Sequence, residues 1–243
     1  MSSPFTVIEA PALGADDVHV WSASLPDERL VADEAMGELS LDERARAARF
    51  KFPEHARRYR TARLLLRCVL AGYVYCPPRE LQFGYLERGK PFLRNGADLQ
   101  FNSSHSGEAV LIGVTRRRDI GVDVEQIRAD FAVQGIARHF FSASERAALA
   151  ALPTARQHLA FFKCWTRKEA FLKATAEGLS RPLATFDVSL APGEPARLLA
   201  TRPDPLEAQG WEFMEPAIAE GYAAAIITRG GEAPLHYWCG GIR

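Results

Sequence analysis

What this chain of 243 residues lacks narrows its function before any motif is read. It has no excess charge of either sign. Thirty Lys and Arg stand against thirty Asp and Glu, so nothing in the net charge points to nucleic acid, and such a partner would need a local patch. The four cysteines, Cys68, Cys76, Cys164 and Cys239, show no CxxC spacing; they read as reduced core thiols of a cytoplasmic protein, with no disulfide frame or zinc site. No apolar run approaches the roughly 20 residues that span a bilayer. The opening MSSPFTVIEAPALGADD has no basic stretch followed by a long apolar one, so no signal peptide and no membrane partner are expected. The GxxxxGK[ST] loop, a GxGxxG after a strand and the GxSxG elbow are all missing, which removes the standard nucleotide-binding folds and the α/β-hydrolases. What is there is 47% apolar, enough for a core of one or two domains.

Period and turn residues predict a mixed α/β (α+β) chain. Strands are expected at Val18–Ser22, Leu81–Leu86, Leu99–Asn102, Ala109–Thr115 and Ile120–Ile127, the last two joined as a hairpin through Arg116–Asp119. Ser40 three residues before Glu43, and Ser142 before Glu145, are capping-box spacings that predict helices to Phe50 and over Phe140–Leu152. Pro53 is expected to break the first of these. Longer helices are predicted over Ala56–Tyr73 and over Gln157–Glu177, the latter closed by Gly178. Strands return at Phe186–Leu190, Trp211–Met214, Tyr222–Thr228 and Leu235–Trp238, with Ala191–Pro205 as loop. A similar order of helix and strands in each half hints at two related lobes, divided here as 1–116 and 117–243.

Three acids stand out. Strand alternation puts Asp123 and Glu125 on one face of IGVDVEQI, opposite Ile120, Val122 and Val124. An exposed sheet face is the plain explanation, and two neighbouring carboxylates otherwise want a cation. Glu169 falls at the centre of the arc formed by Phe162, Trp165, Leu172 and Ala176 when its helix advances 100° per residue. A salt bridge to Lys173, one turn on, is one way to satisfy it. A metal is another: an all-oxygen set suits Mg²⁺, with Mn²⁺ as substitute, and disfavours zinc. Phosphate is the usual companion of such an ion. Arg60, Arg63 and Arg67 recur at helical spacing, with Arg46 and Arg49 on the preceding helix; they are either phosphate ligands or a solvated face. His105 lies in FNSSHSG among Ser103, Ser104 and Ser106, a polar insert read as a turn that can face an anion.

These pieces in this order, ARLLLR, GKPFL, FNSSHSG, IGVDVE, RHFFSASE and FFKCWTRKEAFLKATAEGL, resemble the surfactin-synthetase-activating class of 4′-phosphopantetheinyl transferases. The likeness runs from about Arg44 to Leu190, and GxDxE followed by WxxKEAxxK, with SHS upstream, is its specific core. It implies a pseudo-dimer of two similar lobes in a monomer, each a small antiparallel sheet packed with helices, with coenzyme A at their interface. It further implies Asp123, Glu125 and Glu169 as magnesium ligands, and His105 and Lys173 at the coenzyme A phosphates with Ser104 beside them. Arg46 and Arg60 would hold the 3′-phosphate, and Lys90 and Pro91 would line the adenine site. Glu43 stands where some relatives carry a base. The implied reaction moves phosphopantetheine from coenzyme A to a serine of an apo acyl or peptidyl carrier protein, with Glu169 or a metal-bound water as base. A magnesium-dependent phosphoryl hydrolase and a non-enzymatic carrier-binding module are the other readings of the same residues.

Overall fold

The computed structural model describes residues 8–25, 33–96, 98–231 and 233–239. In chain order its elements are β1 (Val18–Ser24), α1 (Leu41–Ala48), α2 (Pro53–Val74), β2 (Phe83–Tyr85), β3 (Pro91–Leu93), β4 (Leu99–Ser106) and β5 (Ala109–Arg116). They are followed by β6 (Ile120–Gln126), α3 (Val133–Phe140), α4 (Ala143–Ala151), α5 (Thr154–Thr175), β7 (Phe186–Val188), β8 (Leu198–Thr201), β9 (Trp211–Met214), β10 (Tyr222–Arg229) and β11 (Leu235–Cys239).

Both capping boxes form. The Ser40 hydroxyl accepts the Glu43 N–H while the Glu43 carboxylate accepts the Ser40 N–H, and Ser142 and Glu145 repeat the pair at α4. Each box satisfies two donors that a helix start leaves open. Both glutamates are also buried and paired with a cation on the long helix that follows. Glu43 binds Arg63 and, at 2.7 Å, Arg67, whose guanidinium also donates to Pro78 O. Glu145 pairs with Lys168 at 2.8 Å, and Lys168 Nζ donates to Leu183 O and Phe186 O. One device thus fixes a short helix, a long helix and the loop beyond it, twice.

The sheets repeat as well. The first runs β11-β1-β5-β4 and the second β6-β10-β9. Val18 faces Thr115 across β1 and β5, as Ile120 faces Thr228 across β6 and β10, so β1, β5 and β4 correspond to β6, β10 and β9. Hairpins β2–β3 and β7–β8 correspond in turn. Val18, Val20 and Leu111 of one sheet pack on Ile120, Val122, Val124 and Ile226 of the other. On the outer faces, α2 covers the first sheet and α5 the second, giving an α/β/β/α stack. The α+β architecture of two like sheet-and-helix halves is therefore as expected. The last strand, β11, returns to the first sheet and pairs parallel with β1.

Several local expectations are corrected. Pro53 starts α2 instead of ending a helix, because the first turn has no intrahelical use for the N–H that proline lacks. The helix expected over Phe140–Leu152 is α4, opened by Ser142 a little later than Phe140, and α3 is a further helix in the stretch before it that the sequence did not suggest. The long helix stops at Thr175, where Ala176 takes the left-handed conformation (φ 56°) expected of Gly178. Strand β8 lies inside the stretch read as loop. β5 and β6 form no hairpin, since they belong to different sheets. The hairpin is β4–β5, turning through Gly107 and Glu108, with Gly107 at φ 57°. FNSSHSG is accordingly strand up to Ser106, and Asn102, Ser104 and Ser106 have partners on the neighbouring sheet.

Candidate active site

Strand β4 is the edge of one sheet and β6 the edge of the other. Side chains join them where backbone ladders do not. Asn102 Oδ1 accepts the Val122 N–H at 3.0 Å, and Ser106 Oγ accepts the Gln126 N–H at 3.1 Å, so the two strands run parallel at a constant offset of twenty residues. Along this seam Ser104 donates to Asp123 Oδ1 at 2.8 Å and Ser106 to Glu125 Oε2 at 2.6 Å. Helix α5 closes the site from the second side. It comes so near β6 that a Cβ on Gly121 would lie 1.9 Å from Ala170 O, which explains a glycine two residues before Asp123. From α5, Lys173 Nζ donates to Asp123 Oδ1 at 2.7 Å and to Ser104 Oγ at 2.9 Å.

Lys173 therefore pairs with Asp123, and the salt bridge to Glu169 considered from the sequence is replaced. The place of Glu169 also differs from expectation. From Ala160 on, helix α5 is buried nearly all round: Phe161, Cys164, Thr166, Lys168, Ala170 and Phe171 have no exposed surface, and Glu169 is only half-buried. Of the apolar residues in its arc, Leu172 and Ala176 line the cavity at the seam with it, while Phe162 and Trp165 pack among Phe131, Phe140 and Phe161. Burial raises the Glu169 carboxyl above its usual range, and the negative Asp123 and Glu125 add to this while Lys173 opposes it. Glu125 is raised by burial too, with a further push from Asp123, against the Ser106 hydrogen bond. The three acids thus share one field. Among the described residues their ligand atoms do not close to within 4.8 Å of one another, and Lys173 occupies one oxygen of Asp123. Its other oxygen, Oδ2, is buried without a hydrogen-bond partner. An orphaned carboxylate oxygen in an all-oxygen donor set fits a hard divalent cation.

Basic groups gather beside the acids. His105, on β4, is exposed at one side; partial loss of water lowers its pKa, and the charges of Lys173, Arg58 and Arg46 lower it further. Arg46 is exposed and lies over the Tyr59 ring at 5.4 Å. Arg60 carries a buried Nε with no partner. Arg63 and Arg67, read from the sequence with Arg60 as one basic row, are committed to Glu43 instead. Lys90 reaches across the seam to donate to Ile120 O at 3.2 Å and Ala174 O at 2.9 Å; burial pulls its pKa down to about 8. Pro91 opens β3. Lys90, Pro91, Asn102, Glu169, Leu172 and Lys173 line a cavity of about 260 Å³. The sequence reading missed Asn102, which bonds the seam, and the buried Arg167 and Lys168, which hold α5 against Ser189 and Glu145. Their signal was present as two cations inside an apolar helix.

Two like α+β halves that set carboxylates against cations along a seam have the charge arrangement that phosphate-transfer chemistry uses. The family model described as 4′-phosphopantetheinyl transferase superfamily matches residues 119–227, and one described as 4′-phosphopantetheinyl transferase, N-terminal, matches residues 21–116. The 4′-phosphopantetheinyl transferase HetI of Nostoc is 36% identical over 92% of both chains, and psf-1 of Bacillus pumilus, a protein of the same name, is 35% identical over 82% of both. Sfp of Bacillus subtilis is 33% identical over 64% of this chain and 68% of its own. The chain belongs to the 4′-phosphopantetheinyl transferase superfamily and is a transferase of that type.

Proposed function

We propose that this chain transfers 4′-phosphopantetheine from coenzyme A to a serine hydroxyl of an apo acyl or peptidyl carrier protein, at the seam of β4, β6 and α5, with Mg²⁺ (or Mn²⁺) held by Asp123, Glu125 and Glu169. The observation that carries this reading is Asp123 Oδ2, a buried carboxylate oxygen with no partner, beside Glu125 and Glu169, whose carboxyls burial and the Asp123 charge raise above their usual range. When bound, the cation supplies positive charge to phosphate oxygens.

The chain's own groups account for the rest. Lys173, already at the carboxylates, directs an ammonium at the pyrophosphate. His105 faces the same anion with Ser104 beside it. Arg46 and Arg60 reach the 3′-phosphate, consistent with the unpartnered Arg60 Nε, while Lys90 and Pro91 flank the adenine. Glu169, the half-buried acid on the open side of α5, takes the serine proton as general base. The serine oxygen bonds to the β-phosphorus, the bond from that phosphorus to the bridging oxygen breaks, and adenosine 3′,5′-bisphosphate leaves with the electron pair. The chain works as a cytoplasmic monomer whose lobes, 1–116 and 117–243, meet at this site, with β11 returned to the first lobe.

Intact-mass measurement tests the reading. Incubated with coenzyme A, Mg²⁺ and an apo carrier protein, the enzyme adds one phosphopantetheine to the carrier, and EDTA stops it. Free phosphopantetheine with an unmodified carrier would instead mark a hydrolase at the same acids. Unchanged transfer in metal-stripped protein would remove the cation from the site.

A further inference from the structure

The internal repeat predicts a second seam. Strand β11 lies parallel to β1, at the edge that corresponds to the β6 edge met by β4. By the paired registers, His19 corresponds to Gly121, Trp21 to Asp123 and Ala23 to Glu125. Aligning Arg67 with Lys168, the two cations paired to capping glutamates, puts Cys68 and Gly72 opposite Glu169 and Lys173. None of the catalytic charges survives there. Other chemistry has taken their place.

His19 and His236 are register partners on β1 and β11, with ring centroids 5.4 Å apart. His19 Nε2 lies 3.8 Å from Asp17 Oδ2, and His236 Nε2 lies 3.8 Å from Asp17 Oδ1. Among the described residues this is the one trio whose ligand atoms fall within 4.8 Å of one another. The groups behind it orient it. His19, 1% exposed, shares a 2.8 Å hydrogen bond between Nδ1 and the Tyr73 hydroxyl, which also accepts the Trp21 indole N–H at 2.9 Å. In the tautomer that carries its proton on Nδ1, donated to Tyr73, the Nε2 lone pair is free to face the trio. Asp17 Oδ2 accepts the Gly14 N–H at 2.8 Å. Asp17 and His236 are partly exposed, which leaves a path to solvent and an open ligand position.

We propose that Asp17, His19 and His236 bind one borderline transition-metal ion, of the zinc class, which clamps the returning strand β11 onto β1 at the degenerate counterpart of the catalytic seam. Two imidazoles and a carboxylate suit Zn²⁺ and its spectroscopic substitute Co²⁺, and are poor ligands for Mg²⁺. Tyr73 is a positioning residue.

The test uses the full chain with excess Mg²⁺, titrated with CoCl₂ and separately with ZnCl₂. One equivalent of Co²⁺ is expected to bind, with visible d–d absorption and quenching of tryptophan fluorescence, since Trp238 lies 4.5 Å from the His19 ring and stacks on Trp21. His236→Ala, a change at a side chain 48% exposed, and Asp17→Asn should each weaken binding at least tenfold with an unaltered circular dichroism spectrum. Tyr73→Phe should weaken it by about tenfold or more, as outer-sphere partners do. Zn²⁺ should raise the Tm of the parent protein but not of His236→Ala. No uptake by the parent protein would overturn the proposal. So would equal binding by the two ligand variants, or cobalt absorption that disappears in Glu169→Gln and persists in His236→Ala.

Discussion

Glu169 is neither a buried helix residue nor a surface one; it occupies the side of α5 left open by the seam, where burial and two other acids lift its pKa. If it takes the serine proton, Glu169→Gln keeps the shape and removes the base. Turnover should then fall by about 10²–10⁴, while the dissociation constant for coenzyme A, read by calorimetry, stays within tenfold. Full turnover in that variant would take Glu169 out of the mechanism. His105 makes a different prediction. Partial burial, Lys173, Arg58 and Arg46 hold its pKa below the ordinary histidine range in the free protein, so at pH 7 it is mostly neutral. A polyphosphate placed among those cations favours the imidazolium and raises that pKa. Coenzyme A binding near pH 6.5 should therefore take up protons, seen as a dependence of the calorimetric heat on buffer ionisation enthalpy. The uptake should shrink in His105→Ala; an unchanged uptake would place His105 away from the phosphates.

At the scale of elements, the recurring device is a capping glutamate that also anchors the next long helix. Lys168 has no exposed surface and satisfies Glu145 and two carbonyls. Lys168→Met leaves the Glu145 charge buried and unpaired, which typically costs about 3–5 kcal/mol. Urea denaturation should show a loss of that size, and Glu145→Gln combined with Lys168→Met should cost less than the sum of the single changes. Additive losses would mean that the two do not act as a pair. The elements were also where sequence reading went furthest and slipped most instructively. Ser40, Glu43, Ser142 and Glu145 announced both short helices because capping is local chemistry. β4 was cut short at Asn102 because its outward residues are polar, and strand alternation has no way to distinguish side chains that meet water from side chains that bond a neighbouring sheet.

For the whole molecule, the proposed function depends on two halves meeting along β4 and β6 without a shared backbone ladder. Asn102 is the test of that joint, since it lines the cavity but also accepts the Val122 N–H. Asn102→Ala leaves a buried donor unpaired at a cost of about 1–3 kcal/mol. It should also lower kcat/KM at least tenfold in protein that is still folded by circular dichroism, because Asp123 stands one residue from the freed amide. Normal kcat/KM in a destabilised variant would show that the halves are held in place elsewhere. The same pairing of halves sets a seam that carries Asp123, Glu125, Glu169 and Lys173 against a counterpart, lined by His19, Trp21 and Gly72, that carries none of these charges.

By itself the amino-acid order determined what depends on neighbours in the chain: the helix caps, the alternation that puts Asp123 and Glu125 on one face, and the motifs whose spacing marks the transferase family. Tertiary structure alone decided which cations are free. Arg63 and Arg67 look like phosphate ligands or a solvated face in the sequence, yet both bind the buried Glu43 carboxylate, and Arg167 and Lys168, which the sequence reading missed, bind a carbonyl and the buried Glu145, whereas Arg60 keeps an unpartnered nitrogen. It decided as well that Lys173 meets Asp123 and that β11 comes home to β1. The physical reason is range: caps and alternation act over a few residues, while ion pairs and sheet edges join positions from 20 to more than 200 residues apart, which nothing in a local pattern can specify.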